Sequence, residues 1–104
     1  MCTLTDLDNN SVVMAIRENA TLFDLFDEVY LFGSVLDGIK VPNDVDVLLI
    51  YSAYSDAIIE EAKRILYYLE CLIGIPVDLT VLSVEEEKET RFLNRISLRY
   101  LKLK

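Results

Sequence analysis

Residues 56–73 read DAIIEEAKRILYYLECLI, between two apolar stretches, DVDVLLIY at 44–51 and PVDLTVL at 76–82. Ile58, Ile59, Ala62, Ile65, Leu66, Leu69 and Leu72 recur at helical spacing and line one broad face. Gly74 stands where a left-handed residue ends a helix, and Pro76 prevents its return. The flanks are short, apolar runs bounded by turn residues, the pattern of buried strands. A long amphipathic helix between two such strands can serve as their crossover connection. Such a connection calls for a sheet with a helix packed on it, and this constrains the chain more than any other feature.

The remaining elements fall around it. Asn10 or Ser11 caps a helix expected to run to about residue 27, with Val12, Val13, Ile16, Ala20 and Phe23 at helical spacing and Thr21 as a break point. Residues 28–33, EVYLFG, read as a buried strand ended by Gly33-Ser34, and 35–43 as a loop punctuated by Gly38, Pro42 and Asn43. Ser83 opens S-V-E-E, a capping box with Glu86, which predicts a helix from 84 to about 96. ISLRYLKLK fits either a frayed helix or an edge strand. The order α-β-β-α-β-α predicts an α/β (α+β) fold, a small mixed sheet covered by helices, in a single domain over 1–104.

Composition excludes several functions. Formal net charge is −8, which disfavours nonspecific binding to nucleic acid or anionic membrane. The charge is uneven: residues 1–90 carry −13, and 91–104 carry five bases and no acid. The basic tail is therefore expected to meet something acidic, the body of the fold included, or to be a solvated flank. No histidine is present, so imidazole-dependent nucleophile systems and imidazole zinc sites are ruled out. Cys2 and Cys71 form neither a disulfide framework nor a metal spacing, which fits a reducing cytoplasm. Cys71 is expected in the core, and Tyr67 and Tyr68 as core and rim packing. MCTLTDLDNN lacks the features of a signal peptide, and no run is long enough to span a membrane.

Against this apolar background the acids in the strands stand out. Alternation puts Asp44 and Asp46 on one face of the second strand. If the third strand is its neighbour, Asp78 joins them. Three adjacent carboxylates repel one another, but a hard divalent cation takes oxygen ligands and relieves that repulsion. Two Mg²⁺ ions can grip both the attacking and the leaving oxygen of a phosphoryl displacement. Gly33 permits close approach of an anion to the backbone, and Ser34 adds a hydroxyl and an N–H suited to phosphate. The bland alternatives are a simple strand-ending turn at Gly33-Ser34, a turn role for Asp44 and a solvent-facing Asp78 on an edge strand. Glu85 to Glu89 read as the solvated first turn of a helix.

FGS, nine residues, DVDV and a later VDL together resemble the nucleotidyltransferase superfamily of the DNA polymerase β type, over roughly residues 28–82. The pattern is most similar to the minimal nucleotidyltransferases. The resemblance implies the nucleotidyltransferase fold. It also implies transfer of a nucleoside monophosphate, AMP foremost, from an NTP such as ATP to a hydroxyl, with release of pyrophosphate. It assigns Asp44, Asp46 and Asp78 as catalytic and as ligands of two Mg²⁺ ions, and Gly33 and Ser34 as nucleotide-binding. Lys40 joins the nucleotide-binding set as the one cation in VLDGIKVPN, where minimal members often carry arginine. Minimal members commonly act as antitoxins of HEPN-type ribonuclease toxins, some by attaching AMP to a toxin tyrosine. The expected partner is therefore such a toxin, or a second copy of the chain to complete the pocket. The alternative is a catalytically inactive antitoxin or binding module of the same fold, neutralising a basic partner through the acidic body.

Overall fold

The computed structural model describes residues 9–33, 45–96 and 100–104. Ser34, Lys40, Asp44, the loop 35–43, Cys2 and Leu98 lie outside the described residues. The elements are α1 (Asn9–Arg17), a 3-10 turn (Ala20–Phe23), β1 (Glu28–Phe32), β2 (Val45–Tyr51), α2 (Asp56–Ile73), β3 (Val77–Ser83), α3 (Val84–Thr90), α4 (Phe92–Arg95) and β4 (Tyr100–Lys102).

The four strands form one sheet in the order β3-β2-β1-β4. β2 and β3 are parallel, as expected of strands joined by a crossover helix, while β1 is antiparallel to β2 and to β4. α2 ends at Gly74, whose left-handed φ of 83° lets its N–H donate to the Glu70 carbonyl. The predicted capping box starts α3: the Glu86 N–H donates to Ser83 Oγ at 3.0 Å, and the Ser83 N–H donates to Glu86 Oε1 at 2.8 Å.

The strands alternate between two packing layers. Val29, Leu31, Val45, Val47, Leu49 and Val77 face the larger core. There they meet Ile58, Ala62, Ile65, Leu69 and Ile73 of α2, together with Ile16, Phe23 and Phe26. On the opposite face Tyr30, Leu48 and Ile50 form a smaller core with Leu82, Val84, Phe92 and Leu93. Edge-to-face pairs seal that second core, Tyr30 with Tyr100 at 4.9 Å and Phe32 with Phe92 at 5.5 Å between centroids.

Several expectations need correction. The first helix stops at Arg17 and the chain continues through a 3-10 turn, because Phe23 and Phe26 must both reach the larger core. The helix after Ser83 is interrupted at Arg91, which adopts a left-handed φ of 51°. That bend lets Phe92 and Leu93 turn onto the second face. Cys71 is exposed rather than core. Tyr67 is 73% exposed, so it is not core either, and Ile59 is 46% exposed. Tyr68, on the rim, donates its hydroxyl to Asn19 Oδ1 at 3.0 Å. The buried stripe of α2 is thus narrower than its apolar stripe, since only the residues facing β2 and β3 find a partner layer. The C-terminal segment resolves as an edge strand, with Leu101 and Leu103 packed on the larger core. Lys102 lies 5.9 Å from the centre of the Tyr30 ring, and Lys104 Nζ donates to the Phe23 carbonyl at 2.9 Å. Among the described residues the ion pair is Arg64 with Glu61, within α2.

Candidate functional site

β2 and β3 run in the same direction and β1 runs opposite. The end of β1 and the starts of β2 and β3 therefore meet at one end of the sheet. Val45 and Val47 are fully buried on the α2 side, so the side chain between them, Asp46, belongs to the other face. Asp46 is the register partner of Phe32 on one side and of Asp78 on the other. Register partners on adjacent strands project to the same face, with strands about 5 Å apart. The structure thus brings Asp46 and Asp78 side by side on the face away from α2.

Gly33 follows Phe32 and completes this end. Its φ is +84°, a conformation that favours glycine, and a Cβ placed there would collide with Asp46 Oδ2. Backbone conformation therefore favours glycine, and a side chain there would also displace the Asp46 carboxylate lying against it. The turn reading of Gly33 is correct but incomplete, because the turn also makes room for a strand carboxylate.

Exposure fits two charges in this place. Asp46 is half-buried and Asp78 exposed, whereas Leu48, the next residue on the Asp46 face, is fully buried. Neither carboxylate is buried as Leu48 is, which limits the desolvation that a charged group suffers in an apolar layer. β3 is an edge strand and Asp78 faces solvent, as the bland reading held. Both features hold together with its register against Asp46. Among the described residues no group of three His, Cys, Asp or Glu side chains gathers as a metal site, and Asp44 lies outside them. The donor set in view is two carboxylates of hard oxygens, one of them lying against a side-chain-free glycine. That chemistry suits Mg²⁺ bound through one or two carboxylates plus substrate phosphates.

One contributor escaped the sequence reading. Glu70, in the last turns of α2, accepts a hydrogen bond from the Val77 N–H through Oε2 at 3.0 Å. Val77 immediately precedes Asp78. On the other side of the same segment, the Val45 N–H donates to the Pro76 carbonyl at 3.0 Å. The one signal in the sequence was an acid four residues before the helix-ending glycine, and an exposed helical glutamate has no need of a special role.

No curated protein matches the chain by sequence. Among solved structures, one described as a candidate minimal nucleotidyltransferase aligns with a TM-score of 0.65 at 22% identity, covering 92% of this chain and 96% of that one. A toxin–antitoxin structure with AMP-PNP aligns with a TM-score of 0.58 at 21% identity, over 94% and 73% of the respective chains. A complex of tri-AMPylated Shewanella oneidensis HEPN toxin with its MNT antitoxin aligns with a TM-score of 0.54 at 18% identity, over 92% and 68%. At these identities the likeness is one of fold. The model of the nucleotidyltransferase domain matches residues 14–103, nearly the whole chain, and the chain therefore belongs to the nucleotidyltransferase domain family.

Proposed function

We propose that this protein is a Mg²⁺-dependent nucleotidyltransferase that moves a nucleoside monophosphate, AMP foremost, from an NTP to a hydroxyl on a protein partner, a HEPN-type toxin. The observation that carries the reading is the register of Asp46 against Asp78, with Gly33 kept bare beside Asp46. A fold that merely needed a strand end would not require two carboxylates and a glycine to converge there.

In this reading Asp44, Asp46 and Asp78 hold two Mg²⁺ ions, which when bound neutralise the charge developing on the transferred phosphoryl group. Gly33, Ser34 and Lys40 receive the triphosphate: the glycine lets it approach the backbone, the serine donates, and the lysine offsets charge. The acceptor oxygen forms a bond to the α-phosphorus as the bond to pyrophosphate breaks. Asp78, the more exposed carboxylate, takes up the acceptor's proton. Toxin–antitoxin complexes recur among the structures of the same fold, one of them with an AMP-modified HEPN toxin, and this supports a protein acceptor. The exposed apolar residues Met14, Leu25 and Tyr67 are available to a partner.

The absence of arginine in VLDGIKVPN favours a second reading, an inactive antitoxin of the same fold that neutralises a basic partner through its acidic body. Titration of ATP with and without Mg²⁺ against wild type and Asp46→Asn separates the two. For an active site, wild type binds ATP with Mg²⁺, its melting temperature rises with the ion by mass action, and Asp46→Asn loses both responses. No metal-dependent binding in wild type, together with tight association to a HEPN-type protein, leaves the inactive antitoxin.

A further inference from the structure

We infer that Glu70 is the positioning residue of the site, a clamp on the α2–β3 connection that sets the backbone of Asp78 against that of Asp46. The functional half of this inference rests on the reading just proposed.

The argument begins with the sheet edge. Among the described residues β3 is terminal in the sheet, with β2 on one side and no strand on the other. In the parallel pair the Val45 N–H bonds to the Pro76 carbonyl, so positions 76 and 78 turn their backbone groups toward β2. The N–H of Val77 between them points away, off the edge of the sheet. There Glu70 Oε2 receives it, at 3.0 Å. The main chain of Glu70 also acts, since its carbonyl accepts the Gly74 N–H at 2.9 Å and closes the left-handed end of α2. One residue thus holds both the exit from the helix and the first residue of the strand.

The consequence for the site is geometric. The connection 74–77 is gripped on its inner side by Val45 and on its outer side by Glu70. Val45 precedes Asp46 and Val77 precedes Asp78, and these two valines are themselves register partners. Each carboxylate of the pair is therefore preceded by a residue whose N–H is tied down, one to the Pro76 carbonyl and one to Glu70. The buried side chains of Val45 and Val77 anchor the same two positions in the larger core. An exposed strand start without an outer partner would fray, and fraying by one residue would carry Asp78 away from Asp46. The carboxylate is also suited to the task, because a charge-assisted hydrogen bond from a backbone N–H is stronger than a neutral one. Glu70 is exposed and lies on the far side of the strand backbone from β2. It acts through position 77 rather than on substrate or ion.

Three substitutions in the full chain test the inference. Glu70→Gln keeps an acceptor of the same reach, Glu70→Ala removes it, and Glu70→Asp keeps the charge but falls a methylene short. Glu60→Ala, at an exposed site on the same helix, serves as the control. Amide exchange at Val77 and Asp78, followed by NMR, reads the clamp directly. Mn²⁺ titration without nucleotide, followed by paramagnetic broadening at Asp46 and Asp78, reads its effect on the site. Glu70→Ala is expected to speed exchange at Val77 and to weaken Mn²⁺ binding by about tenfold, as outer-shell losses do. Glu70→Gln should stay within about twofold of wild type and so rescue both readouts. Glu70→Asp is expected to follow Glu70→Ala, and it carries the test if Glu70→Ala does not fold.

Unchanged Val77 exchange in Glu70→Ala and Glu70→Asp overturns the clamp whatever the metal does. Faster exchange with unaltered Mn²⁺ affinity, or Glu70→Gln as weak as Glu70→Ala, overturns the positioning role. Wild type that fails to bind Mn²⁺ sinks the metal-site reading itself and with it the functional half. In that event the exchange data still decide the clamp.

Discussion

The two faces of β2 have opposite destinies. On one, Val45, Val47 and Leu49 disappear beneath α2, the 3-10 turn and Phe26, and the layer is sealed along its whole length. On the other, Leu48 and Ile50 are buried among Leu82, Val84, Phe92 and Leu93, whereas Asp46 on the same face is half-buried. The covering helices differ in length: α2 has 18 residues, whereas α3 and α4, on the second face, have seven and four. A strand buried on both faces would be an inert core element. A strand whose second face carries a half-buried position beside buried ones provides rigid ground for a polar group there. The half-buried position of Asp46 is therefore part of what permits a site.

This contrast can be broken most forcefully from the sealed face. Leu69→Ala, at a fully buried position of α2, should cost about 3 kcal/mol by cavity formation. Urea unfolding measures it, and a loss below about 1 kcal/mol would mean that the layer is loosely packed. Beside Asp46, Gly33→Ala is expected to cost about 2 kcal/mol, from a strained left-handed backbone and displacement of the Asp46 carboxylate. It should also abolish any Mg²⁺-dependent rise in melting temperature. A variant as stable as wild type would show that Asp46 does not lie against Gly33.

The smallest effect sharpens the contrast within the second face. Tyr30 donates its hydroxyl to the Glu28 carboxylate. Burial first, and then that bond and the nearby Glu28 charge, hold the phenol well above its ordinary value of 10.0. A raised phenol favours the protonated native state. Its contribution is complete below about pH 10 and is lost as pH climbs through the native value. Tyr30→Phe should cost about 1 kcal/mol at neutral pH, the worth of a hydrogen bond. It should also flatten the decline in stability above pH 10, followed by thermal unfolding across pH 8–11. An identical alkaline decline in the variant would assign the effect to other groups.

Much of this was legible in advance because it is local. The limits of α2, its left-handed glycine and the Ser83 capping box each depend on residues within a few positions of one another. The site was half legible. Alternation placed Asp44 and Asp46 on one face of the second strand, and Asp78 joined them only on the condition that the third strand was its neighbour. The chain could not tell that Gly33 stands against Asp46 in particular, since that depends on antiparallel register across a loop.

The sequence by itself determined the elements and their inward faces, since hydrophobic period and backbone preference act over a single turn or strand. Only the tertiary structure decided which of the apolar residues stay outside. Cys71, Tyr67 and Ile59 carry the same signal as their buried neighbours on α2, and burial depends on whether a second layer arrives to cover them. It likewise decided the pairing of Asp46 with Asp78 and the reach of Glu70 to Val77. Register and long-range hydrogen bonds are set by packing the whole sheet at once, and no local stretch of chain contains them.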